Sequence, residues 1–527
     1  MISISNSLEA AEAKYAIERA MLECPDRQLL IGEILTANIT GDNCEFGVEW
    51  GKLIFAWWNE NLSQSWRVTA YEIDETEVRL RTTRGLGNEL ATLTLRNQSK
   101  WRDKVEFENL ELAEQRQLYA QTLSELLAAH FESDRIQRLT TYSRSIPGRY
   151  ARLTLKLRGE TVLAIGATEA ESQVEIDGMI AAGLIWLSQF NQQRAGKQQT
   201  TQQATRLLFC FPLGRSQTAI ERLTLLDATH LGARLECLEI DERRKEVISV
   251  QLATQGELLS THPRELDWPE IAPADNHWRE RILRLAPKQI EVRQIAGKEL
   301  YAINGLEFAR ASFGEKPRIA FGVAGLDESP AETLTEANFD QLAKLVEDIV
   351  EHRSATPANR RHPFHRLREE AWLESLLRQN ISALNAGFDD RFVYSQIPAW
   401  RGDERSVIDL LTINHEARLV VIEVKASEDA QLPLQGLDYW LRVEQARVRD
   451  EFQRRGLFGG LKLADQSPLL YLVAPRLRFH RTFAIVARCL SPQIEAYQVG
   501  VNANWREGVR VRTLERTNLT KKNDLIE

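Results

Sequence analysis

The chain has 527 residues, of which 43% are hydrophobic and 27% are charged, and its formal net charge is −8. This composition is typical of a globular protein of about three to four domains, and it excludes a chain coated in basic surface. No run approaches the roughly 18 to 20 apolar residues of a membrane span, and the N-terminus lacks a secretion signal. We therefore expect a cytoplasmic protein with no membrane partner.

Cysteine spacing and the distribution of charge narrow the classes of site. The five cysteines contain no CxxC pair, which argues against a zinc ribbon or a thiol-redox motif and favours reduced thiols. Residues 1–340 carry roughly −11 charges and residues 341–527 roughly +3. Any nucleic-acid site would therefore need local basic patches, which are expected in the last third. The acidic front part is expected to contact protein, either a second copy of the chain or another partner.

The first domain, predicted over 1–105, is β-rich after a short amphipathic helix over 9–23. Its strands are rich in β-branched and aromatic residues and are separated by Asn, Gly and Asp. The predicted strands are 52–58, 66–73, 77–83 and 91–97.

The second domain, predicted over 106–253, alternates helices with strands. The hydrophobic period becomes helical from Glu111 to His130 and again over 174–191. A polar, Gln-rich segment over 191–206 predicts a flexible loop. The predicted strands are 136–142, 150–157, 161–167, 206–211, 233–240 and 245–252, with a further helix at 217–230.

Two proline-containing segments, 254–275 and 354–363, predict linkers on either side of a small β-plus-helix region over 275–353. The last domain, over 360–527, has the order α-β-β-β-α-β, which predicts helices packed around a mixed sheet. The chain as a whole is therefore predicted to be a multi-domain α/β protein. In the last domain the predicted helices are 364–379, 433–454 and 480–489, and the predicted strands are 391–397, 405–413, 418–426, 469–475, 493–500 and 508–513.

The order of elements in 111–252 is similar to that of the last domain. Each half has a helix, three strands, a second helix and an apolar strand, LLFCF or LLYLV. TVLAIGA in the first half stands where VVIEVKA stands in the second, so a first copy would lack the acidic residues. Two interpretations stay open: a diverged internal duplication with a catalytically dead front copy, or two unrelated α/β units with a common element order.

The most informative stretch is LVVIEVKAS (419–427), an apolar strand interrupted by Glu423 and Lys425. Period-two alternation places both charges on one face, whereas Ile422 and Val424 face a core. Because burying an unpaired charge costs several kcal/mol, these two residues need partners or a function. An ion-paired strand surface is the alternative to an active site.

The preceding strand, SVIDLLTI (406–413), contains a lone carboxylate, Asp409. A hairpin around 414–417 would bring it beside Glu423. Two carboxylates in one pocket repel each other, and a divalent cation removes that repulsion. Magnesium prefers hard oxygen ligands and keeps several waters, so the pair predicts a magnesium site, with manganese as an alternative ion.

An Asp followed after thirteen residues by Glu-x-Lys, in hydrophobic strands, resembles the PD-(D/E)XK nuclease superfamily. The resemblance covers roughly 364–515 and implies a restriction-endonuclease-like core in which Asp409 and Glu423 bind the metal, together with the carbonyl of Val424. It implies that Lys425 orients or deprotonates the attacking water, or neutralises charge on phosphorus. Ile408 stands where the family's name has proline, a position that varies within the superfamily.

The helix opened by Pro433 carries Gln435 and Tyr439 four residues apart, hence on one face, with Arg442 one turn further on. This Gln-x-x-x-Tyr pattern resembles the motif of RecB-type nucleases. The resemblance implies that all three side chains hold DNA along the active-site cleft. An ordinary polar helix face is the alternative.

Two further groups are candidates. The helix LREEAWLESLLRQ (367–379) places Glu374 at the edge of its apolar stripe, and the resemblance implies that a glutamate of this helix, Glu374 rather than Glu370, completes the metal site. Arg476, Arg478 and Arg481 follow the strand LLYLVAP, where they could contact phosphates. Solvated charges are the alternative in both cases.

The sequence contains no P-loop, HExxH motif or GxSxG elbow, so no ATPase or serine-hydrolase chemistry is indicated. The leading hypothesis is a magnesium-dependent hydrolase that cleaves DNA and leaves a 5′-phosphate, acting in repair or in defence against foreign DNA. The alternatives are an RNA-acting nuclease of the same fold and a catalytically inactive module that binds nucleic acid or protein. The front two-thirds would supply target recognition, dimerisation or a partner surface.

Overall fold

The computed structural model is a mixed α/β protein with several β-sheets. No helix in the described part of the chain is long and apolar enough to cross a bilayer. The structure describes residues 2–518 apart from 5, 23–26, 32–33, 41–42, 50, 59–62, 74–76, 85–88, 98–114, 133–135, 141–145, 147, 196–202, 262–265, 267–276, 296–297, 313–317, 324–331 and 402–403.

The chain forms two compact units, each assembled from separate segments. Unit 1 comprises Met1–Glu106, Trp268–Gln379 and Asn504–Val509, and unit 2 comprises Phe107–Asp267, Asn380–Ala503 and Arg510–Glu527. The predicted linker at 254–275 lies largely outside the described residues, although its start forms a short helix, Gln255–Ser260.

The β-rich N-terminal region is an antiparallel sheet that packs against helix α1 (Ser7–Leu22). Strand alternation explains its core, because Leu53, Phe55 and Trp57 contact Ala13 and its neighbours on one face of the sheet. Its strands are β1 (Ile2–Ser3), β2 (Arg27–Ile31), β3 (Ile34–Ile39), β4 (Cys44–Glu49), β5 (Lys52–Trp58), β6 (Ser63–Ile73), β7 (Glu77–Arg84) and β8 (Glu89–Asn97). The sequence prediction missed β1, β2, β3 and β4.

A six-stranded mixed sheet follows, here named the front α/β sheet. Helix α2 (115–130) covers one face, where Leu123 and Leu127 pack against Leu153 and Leu155. Its strands are β9 (Ile136–Thr140), β10 (Ala151–Leu157), β11 (Glu160–Gly166), β12 (Ala204–Pro212), β13 (Arg234–Asp241) and β14 (Glu246–Val250), and its further helices are α3 (Gln173–Ala195) and α4 (Gln217–Thr224). The predicted helix at 217–230 is shorter, because a 3-10 turn at Thr229–Leu231 follows it.

Unit 1 is completed by an antiparallel sheet and helices between 277 and 379. A domain boundary was predicted near 360, but the chain up to Gln379 packs in unit 1. The reason is Arg353, which is fully buried and donates hydrogen bonds of 2.7 Å to the carbonyls of Phe364 and Leu367. Helix α5 (Gln255–Ser260) precedes this region and belongs to unit 2. The elements of the region itself are α6 (His277–Leu285), β15 (Ile290–Ile295), β16 (Lys298–Ile303), β17 (Leu306–Ser312), β18 (Arg318–Phe321), β19 (Glu332–Thr333), α7 (Phe339–His352), α8 (Pro363–Arg366) and α9 (Glu369–Gln379).

The last sheet, here named the rear α/β sheet, belongs to unit 2. Its central strands are apolar on both faces because helices and loops cover them, and all of Leu419–Val424 is buried. Its strands are β20 (Tyr394–Arg401), β21 (Glu404–Ile413), β22 (Leu419–Val424), β23 (Leu469–Pro475), β24 (Ala496–Val501) and β25 (Val511–Arg516), with helices α10 (Leu432–Val448), α11 (Glu451–Arg454) and α12 (Phe483–Ala487). The strands predicted in this region are confirmed to within a few residues.

The front and rear α/β sheets have the same topology. In each, three antiparallel strands are followed by two parallel neighbours and a final antiparallel strand, in sequential order across the sheet. One backbone hydrogen bond occurs at the same place in both sheets, and it shows which residues of β11 and β22 are equivalent. The N–H of Lys425 donates to the carbonyl of Val473 at 2.9 Å, and that of Ala167 donates to Cys210 at 3.3 Å.

Within unit 2 the helices of the two sheets meet reciprocally. Helix α12 of the rear sheet contacts α3 of the front sheet, and α10 of the rear contacts α4 of the front. An antiparallel bridge joins Leu226 and Leu490, which follow the corresponding helices α4 and α12. Each half therefore presents the same pair of elements to the other, as in the self-complementary contact of a two-fold dimer.

Candidate functional site

Asp409, Glu423 and Lys425 come together where β21 and β22 separate. Their antiparallel ladder runs only as far as the pair Leu410 and Ile422. Beyond it, the N–H of Val424 donates to Oδ2 of Asp409 at 2.9 Å instead of continuing the ladder. The carboxylate thus replaces a backbone carbonyl, and the strand end opens around an acidic side chain.

The side chains of Asp409, Glu423 and Lys425 interact closely at this point. Glu423 is only 2% exposed, and the Lys425 Nζ lies 3.2 Å from its Oε1. Burial raises the pKa of Glu423 well above its ordinary value, and the Asp409 carboxylate raises it further, against the opposing effect of Lys425. Burial also raises the pKa of Asp409, with Lys425 and the Val424 N–H working in the opposite direction.

The two carboxyl groups lie beside each other, and the pKa of each is raised above its ordinary value, first of all by burial. Two neighbouring buried carboxylates are costly to charge together, because they are desolvated and repel each other. A divalent cation would offset this cost, so the pair offers a place where one can bind.

The donor set fits a hard divalent cation. Oε2 of Glu423 is buried and has no hydrogen-bond partner among the described residues. Carboxylate oxygens are what magnesium prefers, and magnesium completes its shell with water. Within the described ranges no cluster of three or more His, Cys, Asp or Glu that could hold a metal occurs. The residues that could hold a cation here are Asp409 and Glu423, because their carboxyl groups are adjacent.

Helix α10 carries Gln435 and Tyr439 over the same face of the sheet. The helix approaches closely because Gly436 lacks a side chain: a Cβ there would lie 2.5 Å from Leu472, the residue paired with Glu423. Burial raises the pKa of Tyr439 strongly, and the next contributions come from Glu423 and Asp409. Oε1 of Gln435 is buried without a hydrogen-bond partner among the described residues.

Arg442 has a different environment from these two residues. It is 5% exposed, pairs with Glu221 of α4 and donates to Gln445 at 2.9 Å. Glu374, a residue of unit 1, is 1% exposed and accepts from Arg293 at 2.9 Å within that unit. Each of these two side chains therefore forms an ion pair within its own unit.

Gln396 is a site residue that the sequence analysis missed. It lies on β20 opposite Asp409, between the pairs Ser395–Leu410 and Ile397–Ile408, and its side chain hydrogen-bonds the Asp409 carboxylate. Its φ of 54° is left-handed, a conformation that costs a non-glycine residue about 1–3 kcal/mol and that clusters at functional sites. The only sequence signal was a polar residue in the strand facing Asp409.

Comparison with known proteins adds no relative: no protein-family model matches the chain, and no curated protein sequence matches it. The site therefore rests on its own geometry. That geometry combines two coupled carboxylates, a lysine in contact with one of them, and a glutamine and a tyrosine on an overlying helix.

Proposed function

We propose that the rear α/β sheet is a metal-dependent nuclease of the PD-(D/E)XK type that hydrolyses DNA phosphodiester bonds. The supporting observation is the buried, adjacent pair of Asp409 and Glu423 with Lys425 beside it. Such a group is costly to the fold, since desolvated charges lose several kcal/mol of hydration. Chemistry on a phosphate accounts for this arrangement, because it needs both a cation site and a positive group next to it.

In this proposal Asp409 and Glu423 hold magnesium or manganese, which when bound acts as a Lewis acid and lowers the pKa of a coordinated water. The ammonium of Lys425 lies 3.2 Å from Oε1 of Glu423. This ammonium can orient the attacking water and stabilise the charge that develops on the phosphate oxygens. Gln396 holds the Asp409 carboxylate in place by its amide hydrogen bond.

Gln435 and Tyr439 are proposed to position the DNA. They lie on the face of α10 that covers the carboxylates, and the buried Oε1 of Gln435 and the phenol of Tyr439 are polar groups available to a substrate in the opening. Arg442 is assigned instead to the ion pair that joins α10 to α4. We further propose that the front α/β sheet is a degenerate copy of the rear one.

The test is cleavage of supercoiled plasmid with and without Mg²⁺ by wild type, Asp409→Ala and Lys425→Ala. We expect cleavage only with metal, and a loss of at least about 100-fold in each variant, the scale on which removal of one charge-stabilising group acts. Glu428→Gln, an exposed carboxylate three residues beyond Lys425, is the matched control and should cleave like wild type.

A second readout does not depend on turnover. Ca²⁺ should raise the melting temperature of the wild type, since a ligand at 100 times its Kd stabilises by about 2.7 kcal/mol, and Asp409→Ala should abolish the shift. Parallel cleavage assays on single-stranded RNA test the alternative substrate. Cleavage that persists in Asp409→Ala and Lys425→Ala would exclude this site, and the absence of both cleavage and metal binding would favour an inactive binding module.

A further inference from the structure

One group of arginines lies at the end of the rear α/β sheet where the site opens. Arg476, Arg478 and Arg481 follow the C-terminus of β23, and Arg510 and Arg512 lie at the start of β25, next to the C-terminus of β24. All five are exposed. These five residues are named the arginine edge.

The arginine edge is continuous with the site. Lys425 hydrogen-bonds Val473 through its backbone, and Arg476 follows only three residues later. The turn that follows β23 packs closely on β24. A Cβ built on Gly500 of β24 would lie only 3.2 Å from the Cβ of Arg476.

Arg476 also lies on the correct side of the sheet. Glu423 is level with Leu472 and Gln498 across the parallel strands, and Gly500 is two residues beyond Gln498. Since side chains alternate with period two, Gly500 and the turn above it share the face of Glu423.

Folding does not account for four of these five charges. Arg476, Arg481, Arg510 and Arg512 make no ion pair with an acidic residue in the part of the chain that the structure describes. Guanidinium groups that are neither buried nor neutralised remain available to an anion from solution.

The front α/β sheet shows what the same turn looks like without this feature. There β12 ends at Pro212, and a short turn leads to Arg215, which donates to the backbone carbonyls of Glu169 and Glu171 at 3.3 and 2.8 Å. Two exposed arginines of the same edge, Arg243 and Arg244, lie 3.8 Å from carboxylate oxygens of Glu169 and Asp241. The arginines of the front edge are therefore bonded to backbone or paired with carboxylates, and unpaired arginines at this edge are not a requirement of the fold.

We propose that the arginine edge binds the phosphate backbone of DNA as it enters the site, so that several phosphates beyond the cleaved bond are held there. The inference rests on the proposed nuclease function. Guanidinium groups bind phosphate oxygens in a bidentate manner and supply affinity without reading sequence. The surface accordingly confers binding that is strongly salt-dependent and independent of base sequence.

The experiment measures binding apart from cleavage. A fluorescein-labelled DNA duplex is titrated with protein in EDTA, by fluorescence anisotropy, at several NaCl concentrations from about 50 to 300 mM. The triple variant Arg476→Ala, Arg481→Ala, Arg510→Ala should raise Kd at least tenfold at the lowest salt. The slope of log K against log salt should become shallower by about 2–3, or about 0.9 for each phosphate that the protein no longer neutralises.

The matched control is Arg243→Ala, Arg244→Ala, which removes two exposed arginines from the corresponding edge of the front sheet. It should retain the wild-type Kd and slope. Circular dichroism of the triple variant should match wild type, because the replaced side chains are exposed.

The outcomes separate this surface from the proposed function. A salt slope that is the same in the triple variant, the control and the wild type overturns the arginine edge, even if the protein cleaves DNA. Arginine-dependent binding in a protein that cleaves no substrate with Mg²⁺ supports the edge and contradicts the nuclease.

Discussion

The front and rear α/β sheets have the same topology but carry different side chains at equivalent positions of β11 and β22, apolar in the front sheet and charged in the rear sheet. The hydrogen bonds that match Lys425 with Ala167 also match Glu423 with Ile165, two residues earlier on each strand. The rear strand thus carries two charges where the front strand carries an isoleucine and an alanine. The sequence alignment of TVLAIGA with VVIEVKA placed Ala164 and Gly166 at these two positions and is wrong by one residue.

The same correspondence extends to the neighbouring strand and helix. Arg152 is paired with Ile165 on β10, at the level where Asp409 faces Glu423 in the rear sheet. On the overlying helices, Gly183 and Gly436 both lie against the sheet, and three residues after them come Trp186 and Tyr439.

In the front sheet, packed side chains fill the space that corresponds to the candidate site of the rear sheet. The guanidinium carbon of Arg152 lies 6.0 Å from the centroid of the Trp186 ring, and Ile165 is fully buried beside them. A cation next to an aromatic ring stabilises the fold but excludes a metal ion. The comparison teaches that this topology folds without the acidic pair, so Asp409 and Glu423 require an explanation outside folding.

The largest expected effect concerns the interface that joins the two sheets. Arg222 of α4 is 3% exposed and donates to both carboxylate oxygens of Asp438 on α10, at 2.9 and 2.8 Å. Arg222→Ala leaves a buried carboxylate without its partner and should lower the free energy of unfolding by about 3–5 kcal/mol. Urea denaturation measures the loss.

Arg206→Ala is the control for that prediction. It removes a similar two-point pair, with Glu236, but one that is partly exposed, so the expected loss is at most about 1 kcal/mol. Equal losses in the two variants would mean that the helices of the two sheets do not depend on the buried pair.

The strands that carry the site could be predicted because their signal is local. Alternation within 419–427 assigns Glu423 and Lys425 to one face, and the short hairpin predicts Asp409 as their neighbour. The partners of Arg442 and Glu374 could not be predicted in this way, because Glu221 and Arg293 lie 221 and 81 residues away in sequence. The face of a helix on which a residue lies predicts whether its side chain is polar. It does not predict which oppositely charged residue that side chain pairs with.

Equivalent positions in the two sheets should respond to substitution with opposite signs. Ile165 is fully buried in the front sheet, so Ile165→Ala should lower the free energy of unfolding by about 2–4 kcal/mol through reduced burial and a cavity. Thermal unfolding monitored by circular dichroism measures it. A neutral result would mean that the packing around Arg152 and Trp186 collapses to fill the space.

Glu423→Leu tests the other half of the comparison. Replacing a buried carboxyl of raised pKa with an apolar side chain should increase the free energy of unfolding in EDTA by about 1–2 kcal/mol. Lys425 is partly exposed and can turn its ammonium to water. The same variant should lose cleavage and the Ca²⁺-dependent rise in melting temperature; a less stable variant would instead indicate that Glu423 serves the fold.

Gln396 lies outside what pattern analysis can provide, because a left-handed backbone at a non-glycine residue leaves no periodic trace. Its position opposite Asp409 became visible only when β20 and β21 were paired in register. The residue combines a strained backbone with an amide that bonds the carboxylate, and two substitutions separate these contributions.

Gln396→Gly and Gln396→Ala both remove the amide, but only glycine relieves the backbone at φ 54°. The glycine variant should therefore be the more stable of the two by about 1 kcal/mol, in urea denaturation, while both lose the same fraction of cleavage activity. At the neighbouring Ser395, glycine should instead be the less stable replacement, because extended strand backbone costs glycine more entropy than alanine. If alanine were preferred at both positions, the left-handed backbone at Gln396 would carry no strain and its contribution to the site would be the amide alone.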